Sequence, residues 1–336
     1  MDNQTNHISL TASELANLWT QYMNDSMACH FLTHSLKVCK DKEVYAILEY
    51  ALSLSKSHLT KLKDFFQNEN YPVPQGFSKS DVNLDAPRLF SDTFMLVYLQ
   101  IMSLHGLSGY ALSVGTSVRS DQRRYYIQCN KETMELHNRT VTVMLKKGIY
   151  SRTPVINPPD NVDFVKKQNF MFGWIGERRP LNAIEISGIH YNMQKTVVKV
   201  VLEIAFSQVA KSAEIRDYFI RGIAVCEKQN EVLGSILVEE HLSPPRFWAS
   251  EVTNSSEAPF SDKLMLFQIV SLVSVALGYN GAAMSVSQRK DLSLQYIRLM
   301  AEMGQYAEDG ANLLIKNGWL EQPPTIDDRE AIAKKK

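Results

Sequence analysis

The chain repeats itself, and this constrains its fold more than any other feature. A shift of 171 residues lays Ala12 on Ala183, Glu14 on Glu185, Lys40 on Lys211, Glu43 on Glu214, Leu62 on Leu233, Glu69 on Glu240 and Pro74 on Pro245. After a gap of one residue the shift becomes 170, and Phe90-Ser91-Asp92 falls on Phe260-Ser261-Asp262. Arg119 and Asp121 then meet Arg289 and Asp291, Tyr126 meets Tyr296, Glu132 meets Glu302, and Gly148 meets Gly318. Core, charged and turn-forming residues recur in one register, the signature of a duplicated structural unit. A length of 336 residues also suits two domains of roughly 100–200 residues.

Each copy reads as four helices. Thr11 with Glu14, and Asn182 with Glu185, place a cap residue three positions before a glutamate, the reciprocal arrangement that satisfies free amides at a helix start. These helices run to Cys39 and Ala210, and the second helices to Glu69 and Glu240, where Pro72, Pro74, Pro244 and Pro245 stop them. A long loop leads to Ser91 and Ser261, natural N-caps of the third helices. The fourth helices follow the Arg-x-Asp breaks at Arg119 and Arg289 and end at Gly148 and Gly318, which suit a helix C-terminus. In the break, Asp121 and Asp291 read as caps, with Arg119 and Arg289 bonding carbonyls left free at the preceding helix end.

Long helices with one long loop between the second and third predict an all-α chain of two tandem ferritin-like four-helix bundles, each with one crossover connection. Only 15 glycines and 12 prolines leave too few turn-formers for a many-stranded sandwich or barrel. The expected boundaries are residues 1–148 for the first bundle, 149–180 for a linker and 181–336 for the second. The linker carries Phe164, Phe170, Phe172 and Trp174, a density of aromatics that predicts packing against the bundles as a strap, with Trp174 buried.

Composition excludes several function classes. Thirty-six basic residues balance thirty-six acidic ones, so no net field gathers nucleic acid or an anionic membrane. Four cysteines without CxxC spacing do not make a disulfide framework, and Met1-Asp2-Asn3-Gln4 does not read as a secretory signal. The expected compartment is the cytoplasm. Residues 93–118 and 264–288 carry no formal charge and are long enough to cross a membrane. Gln100, His105, Gln268 and Asn280 within them, and charged amphipathic helices beside them, argue instead for the most buried helix of a bundle.

Motifs for chemistry are sparse. No phosphate-cradling glycine loop, nucleophile elbow or Glu-x-x-His pair occurs. The first copy nevertheless gathers candidate metal ligands: His30 and His34 one turn apart, His58, His105, Glu132 and Glu135. The second copy has almost none at matching positions.

The tandem unit, with Phe-Ser-Asp opening each third helix and Arg-x-Asp closing it, resembles a family of uncharacterised tandem-repeat proteins from spore-forming bacteria, similar to the spore coat protein F group. That resemblance implies a ferritin-like fold and a sporulation or coat context, and supplies no catalytic residue. The expectation is a non-enzymatic structural or interaction protein without a cofactor, acting through a protein partner or self-association and not through nucleic acid or membrane. The alternative is a divergent metal-binding protein holding a single transition metal in its first bundle.

Overall fold

The computed structural model describes residues 8–166, 168–171 and 178–334. In the first copy, α1 (Ala12–Val38) and α2 (Lys42–Asn68) form one hairpin, and α3 (Asp92–Thr116) and α4 (Ser120–Lys146) another. The second copy repeats this with α5 (Ala183–Val209), α6 (Ala213–Glu239), α7 (Asp262–Val286) and α8 (Lys290–Lys316), before a short α9 (Arg329–Lys334). The described residues contain no strand. Within each copy the hairpins lie side by side, α1 along α3 and α2 along α4. Asn17 near the start of α1 bonds Thr116 at the end of α3, and Lys146 at the end of α4 bonds Glu43 at the start of α2. Both pairs are therefore antiparallel, and the α2–α3 loop must travel the length of the bundle. Two tandem all-α bundles, as the repeat requires, are what the chain forms.

The cap signals hold in detail. Thr11 and Asn182 form reciprocal capping boxes with Glu14 and Glu185, and Gly148 and Gly318 take φ +67° past the ends of α4 and α8. Each residue of the Phe-Ser-Asp repeat has its own task. Phe90 and Phe260 are buried, Ser91 and Ser261 cap α3 and α7 through the amides of Phe94 and Leu264, and Asp92 and Asp262 accept amides from the turn between the first two helices.

The Arg-x-Asp breaks differ from expectation. Arg119 and Arg289 are themselves the N-cap positions and make no side-chain cap bond. Their guanidinium groups grip Asp121 and Asp291 through two nitrogens each and reach Glu69 and Glu240 at the ends of α2 and α6. Their carbonyl partners, Ile8 and Arg179, precede the first helices and are not at the end of the third. The planar fork suits carboxylates better than scattered carbonyls. The backbone junction is held by the buried Glu14 and Glu185, whose Oε1 atoms accept two consecutive amides, at Val118 and Arg119 and at Gln288 and Arg289.

The two crossover loops lie antiparallel on one another. Val82 pairs with Phe260, and Phe90 with Val252. The amides of Ser91 and Asn83 reach Glu251 and Pro259, and those of Ser261 and Thr253 reach Asp81 and Leu89. Each bond is made twice, as a pseudo-two-fold axis demands. Behind the loops, Phe31, Phe90, Tyr98, Phe206 and Phe260 form one aromatic core shared by both copies. Helices α3 and α7 are long and apolar enough to cross a membrane; here their first halves are buried in this shared core. Gly76, at φ +61°, lies so close to α1 that a Cβ there would sit 2.4 Å from Ser26 Oγ.

The start of the linker meets the second copy, where Gln194 Nε2 donates to the Ser151 carbonyl at 2.8 Å and His190 bonds backbone at Arg152; the described aromatics do not form the expected strap. Residues 151–166 have no regular structure, and Phe164 is 81% exposed, beside exposed Val155, Val162 and Val165. Phe170 is half-buried under the guanidinium of Arg179. The copies join through the crossover loops, the shared core and contacts such as Tyr279 Oη on Ser108 Oγ, and exposed Phe164 takes no part in them. Phe172 and Trp174 lie outside the described residues.

Candidate functional site

The centre of the first bundle is polar. Gln21 and Asp25 on α1 are one turn apart, His58 comes from the middle of α2, and Tyr110 from α3. On α4, Tyr125, Cys129 and Glu132 fall at intervals of four and three residues, one face of a helix. His58 lies between two carboxylates: Nε2 is 3.0 Å from Glu132 Oε2, and Nδ1 is 3.3 Å from Asp25 Oδ2. The second contact has ion-pair range but lacks hydrogen-bond alignment, and Nδ1 has no hydrogen-bond partner. Gln21 Nε2 donates to Asp25 Oδ2 at 3.1 Å and to Tyr110 Oη at 3.3 Å. His58, Cys129 and Glu132 bring a ring nitrogen, a thiol sulfur and a carboxylate oxygen within 4.8 Å of one another.

Electrostatics follow from this crowding. Burial opposes charge on His58, but Asp25 and Cys129 beside it outweigh burial and raise the imidazolium to about 11. Burial, then the neighbouring Cys129 and Asp25, raises the hydroxyl groups of Tyr125 and Tyr126 above the usual tyrosine value. Besides His58 Nδ1, buried Gln21 Oε1, Tyr125 Oη and Tyr126 Oη have no hydrogen-bond partner. Orphaned polar atoms at such density call for an additional polar occupant, since each costs about 1–3 kcal/mol unpaired.

The cluster suits one metal ion. Imidazole, thiolate and carboxylate are a mixed nitrogen, sulfur and oxygen set of the kind zinc and neighbouring transition metals take, and Asp25, 3.3 Å from the far ring nitrogen of His58, is placed to orient the imidazole once a metal holds the other. The set has no second group of ligands and does not fit a metal pair. At the matching level of the second copy stand Thr196, Gln229 and Leu299, with only Glu302 retained, and Glu302 is tied to Lys228 at 2.7 Å.

Of the six candidate ligands, the fold brings together His58 and Glu132. His34 gives a ring nitrogen to the carbonyl of Ala86 at 3.0 Å and packs edge-on against Phe260, and half-buried His30 bonds backbone at Phe77. Both hold the crossover loop, because their face of α1 meets that loop and not the bundle centre. His105 stacks on Tyr279 of the other copy, 5.5 Å between ring centres, and burial lowers it to about 3. Glu135 pairs with Arg139 at the surface. Sequence reasoning missed Asp25, Cys129 and Gln21. The Tyr125–Cys129–Glu132 spacing on one helix stripe was the signal available for Cys129.

Comparison with known proteins comes to the following. A family profile described as protein of unknown function (DUF3231) matches residues 1–162 and again residues 169–332. No curated protein matches the chain. Among solved structures, a crystal structure from Bacillus halodurans C-125, provisionally titled a spore coat protein, is similar at 15% identity and a TM-score of 0.38, covering 46% of this chain and 98% of its own.

Proposed function

The chain belongs to the DUF3231 family, and on that premise we propose that it is a ferritin-like metal-binding protein with one transition-metal site, in its first bundle. The observation that carries this reading is the convergence of His58, Cys129 and Glu132 within 4.8 Å, amid orphaned buried polar atoms. His58, Cys129 and Glu132 would ligate the ion, Asp25 would orient the imidazole, and the tyrosines and Gln21 would close the pocket over it. The second bundle, with no comparable group of metal ligands among its described residues, would serve as the structural mate. Binding would displace the proton from His58 and from the Cys129 thiol, so occupancy rises with pH.

Protein purified without chelator is expected to carry about one equivalent of transition metal, and His58→Ala none. Cobalt-loaded protein is expected to show a thiolate charge-transfer band that disappears in Cys129→Ser. A chain that takes up no cobalt at neutral or mildly alkaline pH would refute the site.

A second reading rests on the same geometry with a proton in the metal's place. Imidazolium between Asp25 and Glu132 is then a buried ion triad, and the protein is a purely structural or interacting one. Titrating His58 by NMR separates the readings: a proton retained to near pH 11 in the presence of metal favours the triad.

A further inference from the structure

One turn along from Thr196, the second copy buries a different polar set. Lys199 and Glu203 stand four residues apart on α5, Cys226 is on α6 and Tyr306 on α8. Lys199 Nζ lies 2.9 Å from Glu203 Oε1 and donates to Cys226 Sγ at 3.1 Å. Tyr306 Oη donates to Glu203 Oε1 at 2.8 Å, while Glu203 Oε2 has no partner. Cys226 is 2% exposed and Glu203 fully buried. The first copy has Ala28, Leu32, Ser55 and Leu136 at these positions, so the set is no relic of the shared bundle plan. Room for it has been made as well. A Cβ on Gly222 would come 2.1 Å from Glu203 Oε1 and 2.2 Å from Tyr306 Oη, and one on Gly310 would come 2.3 Å from Tyr218 Oη. The first copy has Ala51 and Thr140 there. Amine, thiol, carboxylate and two glycines depart together from the other copy's pattern.

We propose that Lys199 and Cys226 are an oxidation-driven cross-linking pair, joined Nζ to Sγ when the protein meets hydrogen peroxide, with Glu203 as the proton acceptor. In the first step Cys226 Sγ attacks a peroxide oxygen. An S–O bond forms and the O–O bond breaks; sulfur loses two electrons, and the other oxygen leaves as water with the thiol proton. In the second, the Lys199 ammonium passes one proton to Glu203. The freed Nζ lone pair attacks sulfur, the S–N bond forms and the S–O bond breaks. The departing hydroxide takes a further nitrogen proton and leaves as water. One peroxide becomes two waters, and the product is a sulfenamide beside a neutral Glu203 carboxylic acid. The step replaces a buried ion pair with uncharged groups, the direction that burial favours. Burial raises the Glu203 carboxyl, which suits it to keep the proton. A surface groove of about 400 Å³ between α6 and α8, lined by Tyr218, Arg221 and Asp309, brings solvent to the tyrosine stacked 4.2 Å from Tyr306.

Full-length protein is treated with limiting hydrogen peroxide and mapped by intact mass and tryptic peptides. The expected product is about 2 Da lighter, contains the Lys199 and Cys226 peptides joined, and reverts with dithiothreitol. Cys226→Ser, which installs the first copy's residue, is expected to fold, by its melting curve, and to give no joined peptide. Recovery of Cys226 as a free thiol or a dimedone-trapped sulfenic acid, with trypsin still cutting at Lys199, would overturn the proposal. A joined product about 14 Da heavier would place an oxygen between the two atoms and overturn the direct bond.

Discussion

At His58 the two readings of the first bundle make opposite demands on pH. In the metal-free protein the imidazolium is raised from 6.5 to about 11. A raised pKa means that the folded state holds the proton more tightly than the unfolded chain does. The stability this gives is complete below about pH 6.5 and is lost as pH climbs toward 11. Comparing metal-free wild type with His58→Gln should therefore show the largest gap in melting temperature in mild acid and a shrinking gap in alkali. Metal binding runs the other way, because the ion competes with that proton. Stabilisation by added cobalt or zinc is expected to grow from pH 6 to pH 9. A metal-induced shift in melting temperature that falls over this range would contradict ligation by His58.

Between single residues and the whole molecule, the third–fourth helix junction is held by one carboxylate per copy. Glu14 and Glu185 are buried, yet bonds from their own caps and from the junction amides, with Arg179 added in the second copy, keep both below their ordinary pKa of 4.5. A depressed pKa contributes stability that is present above pH 4.5 and lost as pH falls through the folded value. Glu14→Gln or Glu185→Gln should cost about 1.5–3 kcal/mol at neutral pH by chemical denaturation, and the deficit should narrow in acid. The glutamates were legible in the sequence as capping-box partners, because capping is written within four residues. Their second task was not, since Val118 and Gln288 lie over a hundred residues away. The same limit explains the polar cluster of the first bundle. Helix ends were marked locally by Ser91, Gly148 and Pro74, and their limits fell almost where expected. Which face of α1 looks inward was not marked, because α1 is buried toward both the bundle centre and the crossover loop. His30 and His34 shared a face, but the wrong one, and Asp25 gave no signal until α2 and α4 were set against it.

For the molecule as a whole, the crossover-loop junction decides whether either half can stand alone. Cutting between copies would expose Phe90, Phe260 and the apolar first halves of α3 and α7, each large side chain losing about 1.5–3 kcal/mol of burial. Each half carries the complement of its own surface, as an isologous contact requires. Ser261 donates to Asp81 and Ser91 to Glu251, so in a pair of first halves Ser91 could take Asp81, its repeat-equivalent partner. Residues 8–150 expressed alone are therefore expected to run as a dimer on size exclusion, and residues 178–334 likewise or as aggregate. At the axis, however, the fused chain sets unlike residues together, Gln268 Nε2 donating to Tyr98 Oη at 2.8 Å in a fully enclosed site. A pair of first halves would crowd two tyrosines there, and a pair of second halves would underfill the site with two glutamines; both like pairs can hydrogen-bond, but neither fills the enclosed volume as the unlike pair does. Mixed halves are thus expected to exchange into the unlike pair, and Gln268→Leu to abolish that preference while leaving dimers intact. A half that purifies as a stable folded monomer would show instead that each bundle is self-sufficient and the junction dispensable.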